Sequence, residues 1–214
     1  MTIYTLAQKV QRNFTDCGGI VTMKKFLGRL VSPLYETRVY RIYRINLDTT
    51  SQKTDPAPEG FTFKLLNQQD KSEIEQIDKM AEWIWGKLVA KIASGSLCLV
   101  ILDENKVAGF NLITFGEVFI PLIKLKRVFH QHDAWSEHIA VHKNYRRRGL
   151  ATQLRYRIFD ELRRRGYKKL YGGTLISNKP SLKLARKLGF KEIADVRYLK
   201  VLDSKSWRFN RIRR

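Results

Sequence analysis

No stretch of this sequence stays apolar for long. The longest unbroken hydrophobic run, Leu97 to Leu102, falls far short of the roughly 20 residues of a membrane-spanning helix. Cysteine is scarce: Cys17 and Cys98 lie far apart and without metal-ligand spacing, which makes a reducing cytoplasm the expected compartment. Met1 to Phe14 mixes Gln, Lys, Arg and Asn with apolar residues, so it lacks the apolar core of a secretory signal. Phosphate loops of the Gly-x-x-x-x-Gly-Lys type and dinucleotide Gly-x-Gly-x-x-Gly turns are absent, and no internal repeat is visible. What is present suits an ordinary folded protein. The 214 residues are 43% hydrophobic and 11% aromatic, enough for one full-sized core and against wholesale disorder.

Acidic side chains are also in deficit, and unevenly so. Residues 120–214 carry 26 basic and 7 acidic side chains, whereas residues 55–119 carry 6 and 10. The formal net charge of +21 therefore resides almost wholly in the C-terminal half. Such a surface favours polyanionic partners: nucleic acid, an anionic membrane surface or a phosphorylated cofactor. Charge alone does not choose among them.

The first 54 residues read as an N-terminal helical and strand extension. Thr5 to Phe14 and Ile20 to Val31 have helical spacing, parted by Gly18-Gly19 and closed by Pro33. Arg38 to Leu47 alternates as a strand, and Asp48 to Gly60, with two prolines and no apolar period, reads as a linker ending over residues 55–60. From residue 61 to 214 strands and helices alternate. Phe61 to Leu66 is a strand, and Asp70 to Ser94 reads as one long helix on the spacing of Ile74, Ile77, Ala81, Ile84, Leu88 and Ile92. Leu97 to Leu102 and Val107 to Phe115 form a hairpin. Residues 116–133 give no clear period. A strand from Ala134 to Val141 leads through a basic loop into a helix over Leu150 to Arg165. A strand over Lys169 to Ile176, a short helix begun by Asn178 and Pro180, and one or two strands within Phe190 to Leu202 complete a mixed α/β sheet.

One segment carries chemistry. In Val141-His142-Lys143-Asn144-Tyr145-Arg146-Arg147-Arg148-Gly149-Leu150-Ala151-Thr152 a strand enters a basic loop, and the loop opens a helix. Free N–H groups at a helix start converge on phosphate, Gly149 lets the ligand approach the backbone, and the arginines add paired donors. Arg146, Gly149 and Ala151 fill the fixed positions of Gln/Arg-x-x-Gly-x-Gly/Ala. Further on, Asn178, Ser181, Leu184, Lys187, Gly189 and Phe190 fit Asn-x-x-Ala/Ser-x-x-Leu-x-x-Lys-x-Gly-Phe. Together, in this order and spacing, the two patterns resemble the signatures of the GNAT superfamily of N-acetyltransferases over residues 61–203.

That resemblance implies a mostly antiparallel sheet flanked by helices, with acyl-CoA held between two splayed parallel strands, here 134–141 and 169–176. It implies that the pantetheine arm pairs with the backbone of Ile139, Ala140 and Val141. The diphosphate then sits on Arg146, Arg147, Arg148, Gly149, Leu150, Ala151 and Thr152, with Asn178 and Ser181 alongside. The implied reaction moves an acetyl group from acetyl-CoA, or another acyl from its CoA ester, directly to a primary amine without a metal. Such transfer needs a base for the amine, a polarised thioester carbonyl and a proton for the leaving thiolate.

For the base, strand alternation puts Glu137, Ile139 and Val141 on one face and Ser136, His138 and Ala140 on the other. Glu137 is then the expected catalytic carboxylate, and His138 a competitor on the wrong face. For the acid, many GNAT enzymes have a tyrosine where this sequence has Ala185. Tyr145, Ser177, Ser181 or water would have to serve, or the chain binds acyl-CoA without turning it over. The histidines His130, His132, His138 and His142 lack the helix and the glutamate of a zinc-protease site, so no metal is expected. Residues 67–95 and 112–133 are expected to flank the acceptor cleft, with Trp83, Trp85, Phe110, Phe115, Phe119, Phe129 and Trp135 mostly in the core. A different class of function, a nucleic-acid or ribosome-binding module, would use Lys124 to Arg127, Arg163 to Lys169 and Ser204 to Arg214, with Tyr167, Trp207 and Phe209 stacking on bases.

Overall fold

The computed structural model describes residues 35–48, 58–82, 84 and 86–212. The two N-terminal helices expected over 5–14 and 20–31, most of the linker, and Trp83 and Trp85 lie outside the described residues. The chain divides into two compact units, residues 1–39 with 197–208, and residues 40–196 with 209–214. In the smaller unit the described residues belong to strand ends, and Tyr198 is buried with its ring 5.8 Å from that of Trp207.

In chain order the elements are β1 (Tyr35–Asn46), β2 (Phe61–Leu65), α1 (Lys71–Met80), α2 (Leu88–Ala93), β3 (Leu97–Asp103), β4 (Lys106–Phe115), β5 (Glu117–Ile120), β6 (Leu125–Val128), β7 (Asp133–Val141), α3 (Leu150–Arg164), β8 (Lys169–Leu175), α4 (Lys179–Lys187), β9 (Lys191–Val201) and β10 (Ser204–Arg211). Eight strands form one sheet in the order β10-β9-β1-β8-β7-β4-β3-β2, and β5 pairs with β6 apart from it. β7 and β8 run parallel, whereas β1–β8, β2–β3, β3–β4 and β4–β7 are antiparallel.

Both faces of the sheet are covered, which explains why β3 reads as a continuous apolar run rather than an alternation. Leu97, Leu99 and Ile101 pack with Leu150, Leu154, Ile158 and Leu162 of α3. Cys98, Val100 and Leu102 pack with Ile74 and Ile77 of α1 and Leu88 of α2. Burial pushes the Cys98 thiol up to about 12, so it is a core side chain and not a nucleophile.

Three expectations about elements change. The helix expected over 70–94 is two helices. α1 ends at Ala81, whose φ of −130° leaves the helical region, and Gly86 at φ 83° turns the chain before α2. The apolar spacing ran through this break because Ala81, Ile84 and Leu88 pack into the same cluster. The segment without a clear period, 116–133, is the β5–β6 hairpin around a single 3-10 turn at Pro121–Ile123. The last strands extend to Arg211 rather than to residue 202.

The N-terminal strand takes an interior place, between β8 and β9. Tyr40 pairs with Leu175 and Asn46 with Lys169 along β8. Arg41 ties it to β9, with Nε and Nη2 on the two Asp195 oxygens at 2.7 Å each and Nη1 on Glu192 at 2.7 Å. Two-pronged contacts of this kind fix geometry as well as adding charge-assisted bonds.

Candidate active site

The parallel pair defines the site. β7 and β8 pair from Asp133↔Lys169 to Ser136↔Gly172 and no further. Beyond that point β7 continues paired with β4 alone, Ile139 opposite Asn111 and Val141 opposite Gly109. Among the described residues no strand pairs with the edge of Ile139, Ala140 and Val141 that β8 leaves, and such an edge can take another extended chain. A cleft of about 420 Å³ occupies the opening, and its walls include Tyr40, Tyr43, Ser136, Glu137, His138, Ile139, Arg155, Asn178 and Ser181.

At the end of β7 the basic loop makes a 3-10 turn over Lys143–Tyr145. Arg146 Nε donates to Val141 O at 3.2 Å. Arg147 takes φ 66° and Gly149 φ 75°, and this twist delivers the chain into α3 with its first N–H groups unspent. Thr152 and Gln153 donate to Gly149 O; the N–H groups ahead of them in the helix have no intrahelical acceptor. A Cβ at Gly149 would meet no atom of the described residues within 4 Å, which leaves room there for a ligand. Arg146, Arg147 and Arg148 are exposed, Ala151 and Thr152 half-buried, and Leu150 buried in the core. The residues at this turn fit an anionic diphosphate: open backbone donors, a helix N-terminus and three exposed cations. Asn178 caps α4, its Oδ1 accepting from Ser181 N at 3.2 Å.

The expected alternation along β7 does not hold. β4 and β7 slip register at this point, Leu112 facing His138 and Ile113 facing Ser136, so Glu137 is a bulge residue with no partner of its own. A bulge reverses the parity of the residues beyond it. Ser136 Oγ accepts from Arg155 Nη1 of α3 at 2.5 Å, and Ile139 and Val141 pack on the same α3 side. Ala140 packs on the α1–α2 side, where Glu137 and His138 also lie. Glu137 is thus opposite Ile139 and Val141, and His138 is its neighbour.

The Glu137 carboxylate is 4% exposed and held by two donors. Lys91 Nζ of α2 donates at 2.9 and 3.2 Å, and Thr114 Oγ1 donates at 2.7 Å. His138 Nε2 is 3.6 Å from Glu137 Oε1 and has no hydrogen-bond partner among the described residues. Burial, opposed by Glu137 and reinforced by Lys91, lowers the His138 pKa below its ordinary 6.5. The imidazole is therefore neutral at neutral pH.

Of the hydroxyls considered for the acid, Tyr145 donates to Asp103 at 2.9 Å, and neither it nor the exposed Ser177 is in the cleft wall. Ser181 is in the wall. Sequence reasoning missed Tyr40, Tyr43 and Arg155. Both tyrosines come from β1, and each ring lies over a glycine of β8. A Cβ on Gly172 would come within 2.6 Å of Tyr43 Cε2, and one on Gly173 within 2.2 Å of Tyr40 Cε1. The signal was the pair Gly172-Gly173 in a strand, which marks close approach of another group. Arg155 is 4% exposed on the apolar stripe of α3, and desolvation lowers its pKa to about 10.

The sequence profile of the Acetyltransferase (GNAT) family matches residues 61–190, more than half of the chain. The chain belongs to the GNAT family. Solved structures agree on the fold. A GCN5-related N-acetyltransferase from Sphaerobacter thermophilus superposes with a TM-score of 0.59 at 18% identity, covering 81% of this chain and 55% of that one. A GCN5-related N-acetyltransferase-like protein from Streptococcus suis gives 0.52 at 15%, covering 87% and 68%. A tandem GNAT protein from the clavulanic acid biosynthesis pathway gives 0.53 at 13%, covering 81% and 53%. This GNAT chain thus spans little more than half of the first and last of these. No curated protein matches it. Among the described residues no helix is long and apolar enough to cross a membrane.

The basic segments considered for nucleic acid are partly committed within this GNAT domain. Arg164 and Arg165 pair with Glu161, Lys126 with Glu117, and Tyr167 stacks on Phe115 at 4.5 Å between centroids. Phe110 and Trp135 are buried in the core, and Trp135 also borders the cleft, as does Phe119.

Proposed function

We propose that this protein is an acyl-CoA-dependent N-acyltransferase that moves an acetyl group from acetyl-CoA to a primary amine. The observation that carries this is the end of β7–β8 pairing at Ser136/Gly172, with an open helix start following β7. When bound, acyl-CoA supplies an acyl group activated as a thioester. Arg146, Arg147 and Arg148 and the amides of Gly149, Leu150 and Ala151 would hold its diphosphate. The free edge of Ile139, Ala140 and Val141 would take the pantetheine arm as an added strand, beside Asn178 and Ser181.

Phe119 to Leu122, Trp135 and Tyr40 also line the cleft, and these residues would form its acceptor end. Glu137 and His138 act there as a pair. The Glu137 oxygens already receive donors from Lys91 and Thr114, which makes an ion-paired carboxylate a weak base. The imidazole is neutral, and with Nε2 turned to Glu137 its Nδ1 takes the amine proton. Glu137 then stabilises the imidazolium.

The test is coenzyme binding followed by thiol release with a panel of amines. Acetyl-CoA should bind the wild-type protein, and His138→Gln should lower kcat by about 10²-fold or more with little change in acetyl-CoA affinity. Glu137→Gln should slow transfer and lower the apparent base pKa. In the wild type the rate should fall only as pH drops through a value below 6.5, since the depressed pKa keeps the base form in milder acid. Failure to bind acetyl-CoA refutes the function; unchanged kinetics in both variants refutes the base assignment.

A further inference from the structure

Ala185 leaves α4 without the phenol that transfer to an amine would use at the thiolate. The space is not empty. A small cavity of about 10 Å³ is bounded by Ala185, Tyr43, Ile139, Arg155 and Ser181, so the Tyr43 side chain abuts the place where a larger residue 185 would project. Tyr43 reaches it from β1, its ring over Gly172 and edge-on to Phe190 at 5.1 Å between centroids. Its hydroxyl hydrogen-bonds with Ser181, and the Arg155 cation is close enough to act on it.

Arg155 is the second half of the observation. It is buried, it donates to Ser136 Oγ at 2.5 Å, and its guanidinium is 5.8 Å from the Phe190 ring. No carboxylate pairs with it among the described residues. A buried cation without an anion is unfavourable, and here it lines the same cleft as Tyr43 and Ser181. An anion entering the cleft would balance this charge.

We propose that Tyr43, supported by Arg155 and Ser181, donates the proton to the departing CoA thiolate, replacing from strand β1 the residue that Ala185 lacks. This rests on the reading above that the cleft holds acyl-CoA. Atoms and electrons balance in the step. The amine lone pair forms the C–N bond, the C–S bond breaks, and its electron pair goes to sulfur. The sulfur takes the Tyr43 phenolic proton; the amine proton goes to His138 as above, which releases it to solvent, and the phenolate beside Arg155 is reprotonated from solvent. Burial raises the Tyr43 pKa above 10.0, with Arg155 and Ser181 pulling it back. Tyr43 therefore keeps its proton until charge develops on sulfur.

The experiment uses the full chain with CoA and desulfo-CoA, so that the thiol is read without an acceptor. The difference in thiolate absorbance between the two complexes gives the pKa of the bound thiol, which should lie below the value of about 8.5 of an ordinary thiol. Tyr43→Phe should return it upward by about one unit or more, and should narrow the preference for CoA over desulfo-CoA. Acetyl transfer should slow by about 10²-fold, within the usual range for a general acid. Tyr43→Ala should behave likewise, and adding Ala185→Tyr should restore part of the shift by returning a phenol to the same cavity. If Tyr43→Phe binds CoA with the wild-type thiol pKa and transfers at the wild-type rate, the assignment falls while the acyl-CoA reading stands. If the wild type binds neither CoA nor desulfo-CoA, the acyl-CoA reading falls and takes this proposal with it.

Discussion

Replacing Arg155 by methionine should leave the ligand-free protein as stable as before, or more so, while weakening CoA binding. The folded state holds this guanidinium at a pKa of about 10 against an ordinary 12.5, through desolvation. At about 1.4 kcal/mol per unit, burial disfavours the cation by about 3 kcal/mol. Against this stand the bond to Ser136, worth about 1.5–3 kcal/mol to a charged donor, and up to about 1 kcal/mol from the Phe190 ring. Methionine keeps most of the volume and adds apolar burial of about 1.5 kcal/mol. The sum runs from about 0.5 to about 3 kcal/mol of stabilisation, or a rise in Tm of several degrees at about 2–4 °C per kcal/mol. Urea denaturation without ligand measures this, and the thermal shift at fixed CoA measures the rest. Loss of a charge facing the sulfur should cut affinity about tenfold, removing about 1.4 kcal/mol of ligand-dependent stabilisation. A variant destabilised by more than about 2 kcal/mol, with its CoA shift intact, would falsify the reasoning and make Arg155 a structural residue only.

Two further substitutions test the frame. Gly173→Ala places a Cβ 2.2 Å from Tyr40 Cε1 and 3.0 Å from Arg41 O; it should destabilise by about 1–3 kcal/mol through overpacking, and wild-type stability would mean that the ring is not seated as described. Gly149→Glu puts a negative side chain where Gly149 holds φ 75°, and it should abolish thermal stabilisation by acetyl-CoA; a full shift at the same ligand concentration would move the diphosphate elsewhere.

What the sequence made legible was local. Arg146, Gly149, Ala151 and Asn178 sit in short patterns whose geometry is set by neighbours in the chain, and they occupy the loop, the helix start and the cap that their types suggested. The α3 stripe was equally plain, since its period is internal to one helix. The bulge at Glu137 was not, because it exists only relative to the register of β4. One extra residue there reversed the parity of Ile139 and Val141 and brought His138 to Glu137. The place of β1 was illegible for the same reason. Nothing local says that a strand beginning near residue 35 pairs with one beginning at residue 169. The Arg41 contacts that fix it join residues more than 150 positions apart.

The position of β1 also explains how the cleft has two chemical ends. The residues matched to the family begin at residue 61, so Tyr40 and Tyr43 lie outside that match although both line the opening. Three positions apart on a strand, they point to opposite faces, and Gly172 and Gly173 seat them on opposite faces of β8. Tyr43 joins the α3 side, with Arg155 and Ser181. Tyr40 joins the other side, where Glu137 acts on it and burial holds its pKa well above 10.0. A single inserted strand thus supplies one phenol to the side proposed for the thiolate and one to the side proposed for the amine. If it does so, the absence of tyrosine at Ala185 has a geometric cause, because Tyr43 already fills the space and a second ring there would collide with it.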